Sequence, residues 1–147
     1  MGFGANLVLS QPDSARTAAA LDALEFQVHV DLFENPTARH ADYLLPACTP
    51  WEREGLRIGF EISARAMEQV QLRRTLVPRP PGNLARSDLE IVFALATRLG
   101  LGAPFFDGDI ERAQDHVLAP IGLSMAQLRA RPAGVRVPLP QVERAYR

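Results

Sequence analysis

Three short apolar runs lie within about the first 45 residues, which leaves the chain few ways to join them. Phe26, Val28 and Val30 alternate with Gln27 and His29, the period-2 pattern of a strand, and the run ends at Asp31. Tyr43-Leu44-Leu45 forms a short buried run stopped by Pro46. Ahead of both stands Leu7-Val8-Leu9, which gives way to Ser10-Gln11-Pro12-Asp13. That group combines side-chain acceptors with a φ-restricted proline and suits a helix start. A helix is predicted from about Ser14 to Leu24, with alanines, Leu21 and Leu24 on a narrow apolar face. Asn35-Pro36 reads as the cap and first turn of a short helix reaching about His40. Crossovers this short between apolar strands favour a parallel sheet with right-handed connections, so the fold class is α/β.

Beyond Leu56 the pattern changes. Arg57 to Ile62 alternates apolar with other residues, and Val70 with Leu72 suggests another extended piece, so a β-hairpin or irregular excursion is expected over Leu56 to Leu76. After the Pro78-Arg79-Pro80-Pro81 break, Ser87-Asp88-Leu89-Glu90 matches a capping box. Leu89, Val92, Phe93, Leu95, Ala96 and Leu99 then give a strong amphipathic helix that Gly100 can cap. Two further helices are predicted over Asp109–Leu118 and Ser124–Ala130. The proline-containing stretch 131–147 is expected to run extended over the surface as a linker or tail, leaving 1–130 as one domain.

Composition removes several functions. The net charge is −1, with no block of like charge, so the footprint of a phosphate-backbone binder is missing and nucleic acid is an unexpected partner. Every apolar run is broken well short of the roughly 20 residues needed to cross a bilayer. Met1 to Ser10 carries no basic residue ahead of its apolar stretch, so it does not read as a secretion signal and a cytoplasmic location is favoured. Cys48 is the single cysteine, which excludes an internal disulfide and any cysteine-built zinc or iron–sulfur site. His29, His40 and His116 lack a mutual ligand spacing, so no metal site is assigned. Cys48 reads as a small buried residue and Trp51 as a packing residue.

In open α/β sheets a ligand sits beyond the carboxyl ends of the strands, where loops and helix N-termini offer backbone N–H groups to phosphates. Asn6, Asp31 and the Glu52-Arg53-Glu54 loop occupy such positions. A carboxylate can accept from both N1–H and N2–H of guanine, and an arginine can reach a pyrophosphate. Taken singly these are weak signals: Asp31 also suits a loop or cap acid, and Arg53 between two glutamates also suits a solvated face.

Their combination is more specific. Gly4-Ala5-Asn6, Gln11-Pro12-Asp13, Asp31 and the string TARHADYLLPACTPWEREG, from Thr37 to Gly55, resemble the molybdopterin oxidoreductases of the dimethyl sulfoxide reductase family, formate dehydrogenases and periplasmic nitrate reductases among them. A looser likeness continues through Ser87-Asp88, Arg98-Leu99-Gly100 and the stretch beginning Leu123-Ser124-Met125. The resemblance implies a Rossmann-like three-layer domain, cut short at its first strand, within a larger enzyme. That enzyme would hold molybdenum or tungsten between two pyranopterin guanine dinucleotides. By position, the dinucleotide contacts would be Asn6, Val30, Asp31, Arg53 and Asp88. The sequence departs from the family pattern at Leu7, where a proline is usual, and between Leu56 and Gln71.

The iron–sulfur cysteines and the metal-ligating residue implied by the family have no counterpart here, so the chain reads as a fragment that binds but does not catalyse alone, with the parent's other domains as partners. No catalytic or metal-ligating residue is therefore assigned, and the isolated chain is expected to carry no bound cofactor. A free-standing non-catalytic α/β binding module is the alternative. An ordinary Rossmann dehydrogenase is disfavoured, since no G-x-G-x-x-G turn is present. A first strand limited to Met1–Phe3 would leave an apolar sheet edge open to homodimer formation.

Overall fold

The computed structural model describes residues 1–59 and 63–138. Three parallel strands are built first: β1 (Gly2–Phe3), β2 (Val28–Asp31) and β3 (Tyr43–Pro46), in the order β1-β2-β3. Gly2 pairs with His29 and Val28 with Tyr43, which sets the register on each side of β2. Between β1 and β2 lie a one-turn helix α1 (Leu7–Ser10) and α2 (Ser14–Asp22). The apolar run Leu7-Val8-Leu9 is thus a helical turn, and the first strand is the two-residue stretch ahead of Gly4. Asp13 caps α2 through a side-chain bond from the Arg16 amide at 2.9 Å. Asn35 accepts from the Ala38 amide at 3.0 Å, a bond ahead of the 3-10 turn Ala38–His40, whose N-cap is Thr37 and not the Asn35 that the Asn-Pro pair suggested.

The alternation in β2 does not separate a wet face from a dry one. His29 and Val30 are both buried, as is Gln27, while Phe26 stays exposed. The cause is topology: β2 is the middle strand, so polar residues there lose water and need internal partners, which the buried Gln27 Oε1 lacks. His29 finds them at Asp31 and Asn35.

A second, antiparallel sheet of order β4-β5-β6 follows. Its strands are β4 (Gly55–Arg57), β5 (Gln69–Arg73) and β6 (Val135–Arg136), with Leu56 opposite Leu72 and Val70 opposite Val135. The expected hairpin is therefore present as β4 and β5, with α3 (Ala64–Met67) in the connection; Phe60, Glu61 and Ile62 lie outside the described residues. The Ser87 capping box opens α4 (Asp88–Arg98), and both reciprocal bonds are made, Glu90 N to Ser87 Oγ and Ser87 N to Glu90 Oε2. Gly100, at φ +77, closes the helix with Leu101 N bonded to Ala96 O, a Schellman end. Next come α5 (Ile110–Leu118) and α6 (Met125–Arg129). In the segment expected to be an extended tail, Val135–Arg136 adds an edge strand to β5; residues 139–147 lie outside the described residues.

The largest buried cluster belongs to this second unit. Leu118, Met125 and Leu128 are at most 1% exposed and pack with Val70 and Leu72, flanked by Leu56, Leu123, Val135 and Val137. Burying each such side chain contributes about 1.5–3 kcal/mol, so α5 and α6 are anchored to β5. No helix among the described residues is long and apolar enough to cross a membrane.

Candidate functional site

Beyond the carboxyl ends of the three parallel strands lies a cavity of about 300 Å³. Phe3 and Gly4 line it from the end of β1, Val30, Asp31 and Leu32 from β2, and Ala47, Cys48 and Pro50 from β3. Arg53, and Asp88 at the first position of α4, complete the wall. Gly4 turns the chain away from β1 at φ +58, a left-handed value that disfavours any residue with a Cβ. Its N–H donates to the Val30 carbonyl at 2.8 Å and the Ala47 N–H donates to the Asp31 carbonyl at 3.0 Å, so the strand ends are held side by side. The Cys48 N–H reaches the Arg86 carbonyl at 2.9 Å and ties the start of α4 to the same rim.

Four of the five residues singled out from the sequence, Val30, Asp31, Arg53 and Asp88, line this one cavity. Asn6 stands apart from the lining. It precedes α1, and its amide oxygen accepts a bond from the Thr37 hydroxyl at 3.3 Å. Thr37 is buried and its hydroxyl oxygen also accepts from the Val8 amide at 3.0 Å, so this pair ties the loop after β1 to the connection after β2.

The Asp31 carboxylate is strongly preorganised. Oδ1 accepts from the Leu32 amide at 2.6 Å, and Oδ2 accepts from Asn35 Nδ2 at 2.6 Å with His29 Nε2 at 3.3 Å. Burial pushes its pKa up, but the bonds from Leu32, His29 and Phe33 outweigh that and hold it below the usual carboxylate range. Asp31 is therefore both a loop-organising acid and a cavity wall. Asp88 is exposed, and its carboxylate makes no hydrogen bond or ion pair among the described residues.

Arg53 sits between two glutamates, but neither neutralises it. Its own backbone is extended, at φ −145 and ψ 158, directly after the 3-10 turn that ends at Glu52. Glu52 closes a capping box on Thr49, taking the Thr49 amide at 2.7 Å and its hydroxyl at 2.9 Å. These bonds hold the Glu52 carboxyl below its ordinary range. Glu54 is bound to Arg129. The Arg53 Nε is buried without a hydrogen-bond partner, and a buried donor left so is costly unless something fills the place. A Cβ at Gly55 would stand 2.5 Å from Arg73 Nη2 and would have to displace that flexible guanidinium. The Arg73 guanidinium also lies 5.8 Å from the ring centroid of the half-exposed Trp51, so the tryptophan is a stacking surface and not a core residue.

Cys48 is buried, and burial pushes its thiol up despite the nearby Arg79 and Arg53, which leaves it a poor nucleophile. The histidines lie in separate environments: His29 on Asp31, His40 on Asp22 at 2.6 Å, and His116 against the Phe106 ring. No group of three metal-ligating side chains occurs among the described residues. Residues that the sequence alone did not single out include Cys48 as cavity lining, Arg79, which pairs with Glu90 at 2.8 Å, and Arg129. The arginine pairings span 11 and 75 residues of chain, too far apart for local spacing to show.

Comparison with known proteins identifies the family. The family model for molybdopterin oxidoreductase matches residues 2–98. The dimethyl sulfoxide/trimethylamine N-oxide reductase of Cereibacter sphaeroides is 37% identical over 105 residues, 71% of this chain and 12% of that protein. The F420-dependent formate dehydrogenase subunit alpha of Methanocaldococcus jannaschii is 37% identical over 109 residues, 74% of this chain and 15% of the relative. The assimilatory nitrate reductase catalytic subunit of Bacillus subtilis is 32% identical over 144 residues, 92% of this chain and 19% of the relative. The chain belongs to the molybdopterin oxidoreductase family and spans less than a fifth of the length of these relatives.

Proposed function

We propose that this segment grips one guanine dinucleotide of a bis-pyranopterin cofactor carrying molybdenum or tungsten. The larger protein would catalyse two-electron redox or oxygen-atom transfer, with the parent's remaining domains as partners. When bound, the cofactor supplies the redox chemistry; the residues here supply binding and orientation.

The observation that carries the reading is the Arg53 Nε, buried and unpartnered in a loop that lines a cavity at three parallel strand ends. A pyrophosphate oxygen would satisfy it with a charge-assisted bond. The N-terminus of α4 borders the same cavity and its exposed amide dipoles favour an anion. Asp88, with an uncommitted carboxylate, is the better acceptor for guanine N1–H and N2–H, because both Asp31 oxygens already accept protein donors. Asp31 and Val30 then act as a fixed wall, and Asn6 as a strut between loops.

Titration of the chain with GDP, and with ADP as the competitor lacking a guanine edge, tests this. Saturable GDP binding that exceeds ADP binding, and that falls in Arg53→Gln and in Asp88→Asn, is expected. Absence of saturation at millimolar GDP, or equal binding in all three proteins, would overturn it.

A further inference from the structure

A second cavity, of about 290 Å³, adjoins the first at Arg53 and is lined by three arginines: Arg53, Arg79 and Arg129. Two of them are already committed to acids. Arg79 pairs with Glu90. Arg129 is largely committed: Nε and Nη2 donate to Glu54 at 3.0 and 2.8 Å, and Nη1 and Nη2 donate to Glu111 at 2.7 and 3.0 Å. One N–H, on Nη1, is left for anything else. Its two carboxylates come from the loop ahead of β4 and from α5, while Arg129 itself ends α6. Arg74 donates to the backbone carbonyl of Arg129, a further tie to the end of β5.

We infer that Arg129 is a positioning residue for Arg53: by clamping Glu54 it fixes the residue that follows Arg53 and so holds Arg53 at the wall of the strand-end cavity. Glu52 is pinned on one side by Thr49 and Glu54 on the other by Arg129. With both neighbours tethered, the backbone of Arg53 is held from either side. The pair is about a third exposed on both partners, so its contribution to stability is small. What it provides is geometry, since two fork-like contacts fix the plane of the guanidinium and hence the place of Glu54. The buttress also gives the C-terminal helices a task. They follow the part of the chain that the family model matches, and the buried Leu118, Met125 and Leu128 hold them rigidly on β5.

The inference rests on the proposal that Arg53 meets the ligand's phosphates, and the experiment separates the two. GDP affinity and amide hydrogen exchange are measured on the full chain, on Arg129→Met and on Arg129→Lys. Arg129→Met is expected to weaken GDP binding about tenfold, the scale on which partners that orient a binding group act. It should also speed exchange at Arg53 and Glu54 while Val70 and Leu128 keep their protection. Arg129→Lys should recover part of both effects. Wild-type affinity and loop exchange in Arg129→Met would overturn the inference, as would equal loss of protection in the loop and the core. If the unaltered chain takes up no GDP, the nucleotide reading fails by itself, and exchange at Arg53 and Glu54 still decides the role of Arg129.

Discussion

A methyl group built on Gly134 would stand 2.6 Å from the carbonyl oxygen of Val70, closer than real side chains come, and the Gly134 backbone already has φ +81. Two independent reasons thus demand glycine at this turn, left-handed backbone and close approach. Gly134→Ala is expected to destabilise the chain by about 1–3 kcal/mol through strain at a special backbone position. Thermal unfolding measures it, and a melting temperature equal to the unaltered chain would contradict the close contact.

Asp31 titrates below its ordinary range in the folded protein. A carboxylate with a depressed folded pKa contributes stability above its unfolded pKa, about 3.9, and that contribution is lost as pH falls through the folded value. Asp31→Asn should therefore be less stable than the unaltered chain near neutrality. The gap should narrow as pH drops below about 4. Denaturant midpoints across that range test this, and a gap independent of pH would show that the Leu32 and His29 bonds do not favour the ionised form.

The C-terminal core carries more energy per residue than the open apolar surface. Leu118→Ala, at a fully buried position, should cost about 2–5 kcal/mol, with the spread set by how far the site relaxes. Leu84→Ser, at a position 81% exposed, should change stability by less than about 0.5 kcal/mol. Urea unfolding of the two variants provides the comparison. Similar costs would mean that the Leu84 surface is covered in solution.

We propose that the isolated chain pairs with itself along the parallel sheet. β1 is an edge strand of two residues, and Phe3 on it and Met1 just ahead of it are exposed. Such an edge can accept a strand from another molecule. Light scattering should show mass rising with concentration, and Phe3→Lys, a charge on that edge, should lower it. A monodisperse monomer across the range would rule out this pairing.

The sequence was most legible where a pattern is enforced locally. The Ser87 capping box, the Asp13 cap and the β2 and β3 strands need only residues a few positions apart, and the structure has each of them. The family resemblance singled out Asp31, Arg53 in the string from Thr37 to Gly55, and Asp88 in the looser Ser87-Asp88 match, and the three line one cavity. Leu7-Val8-Leu9 became a helical turn because Gly4 reverses the chain directly after β1. Segment 131–138 reads as featureless because its order comes from β5, Gln69 and Val70, more than sixty residues away. Arg129 escaped notice for the same reason: only the tertiary fold brings it to Glu54.

The wall of the strand-end cavity is contributed by stretches scattered from Phe3 to Asp88, so it exists only once all of those stretches have docked. Any occupant is consequently a ligand of the native state alone, and mass action shifts the folding equilibrium toward that state. At a hundredfold excess over its dissociation constant the gain is about 2.7 kcal/mol. The melting temperature should thus report occupancy without any redox assay.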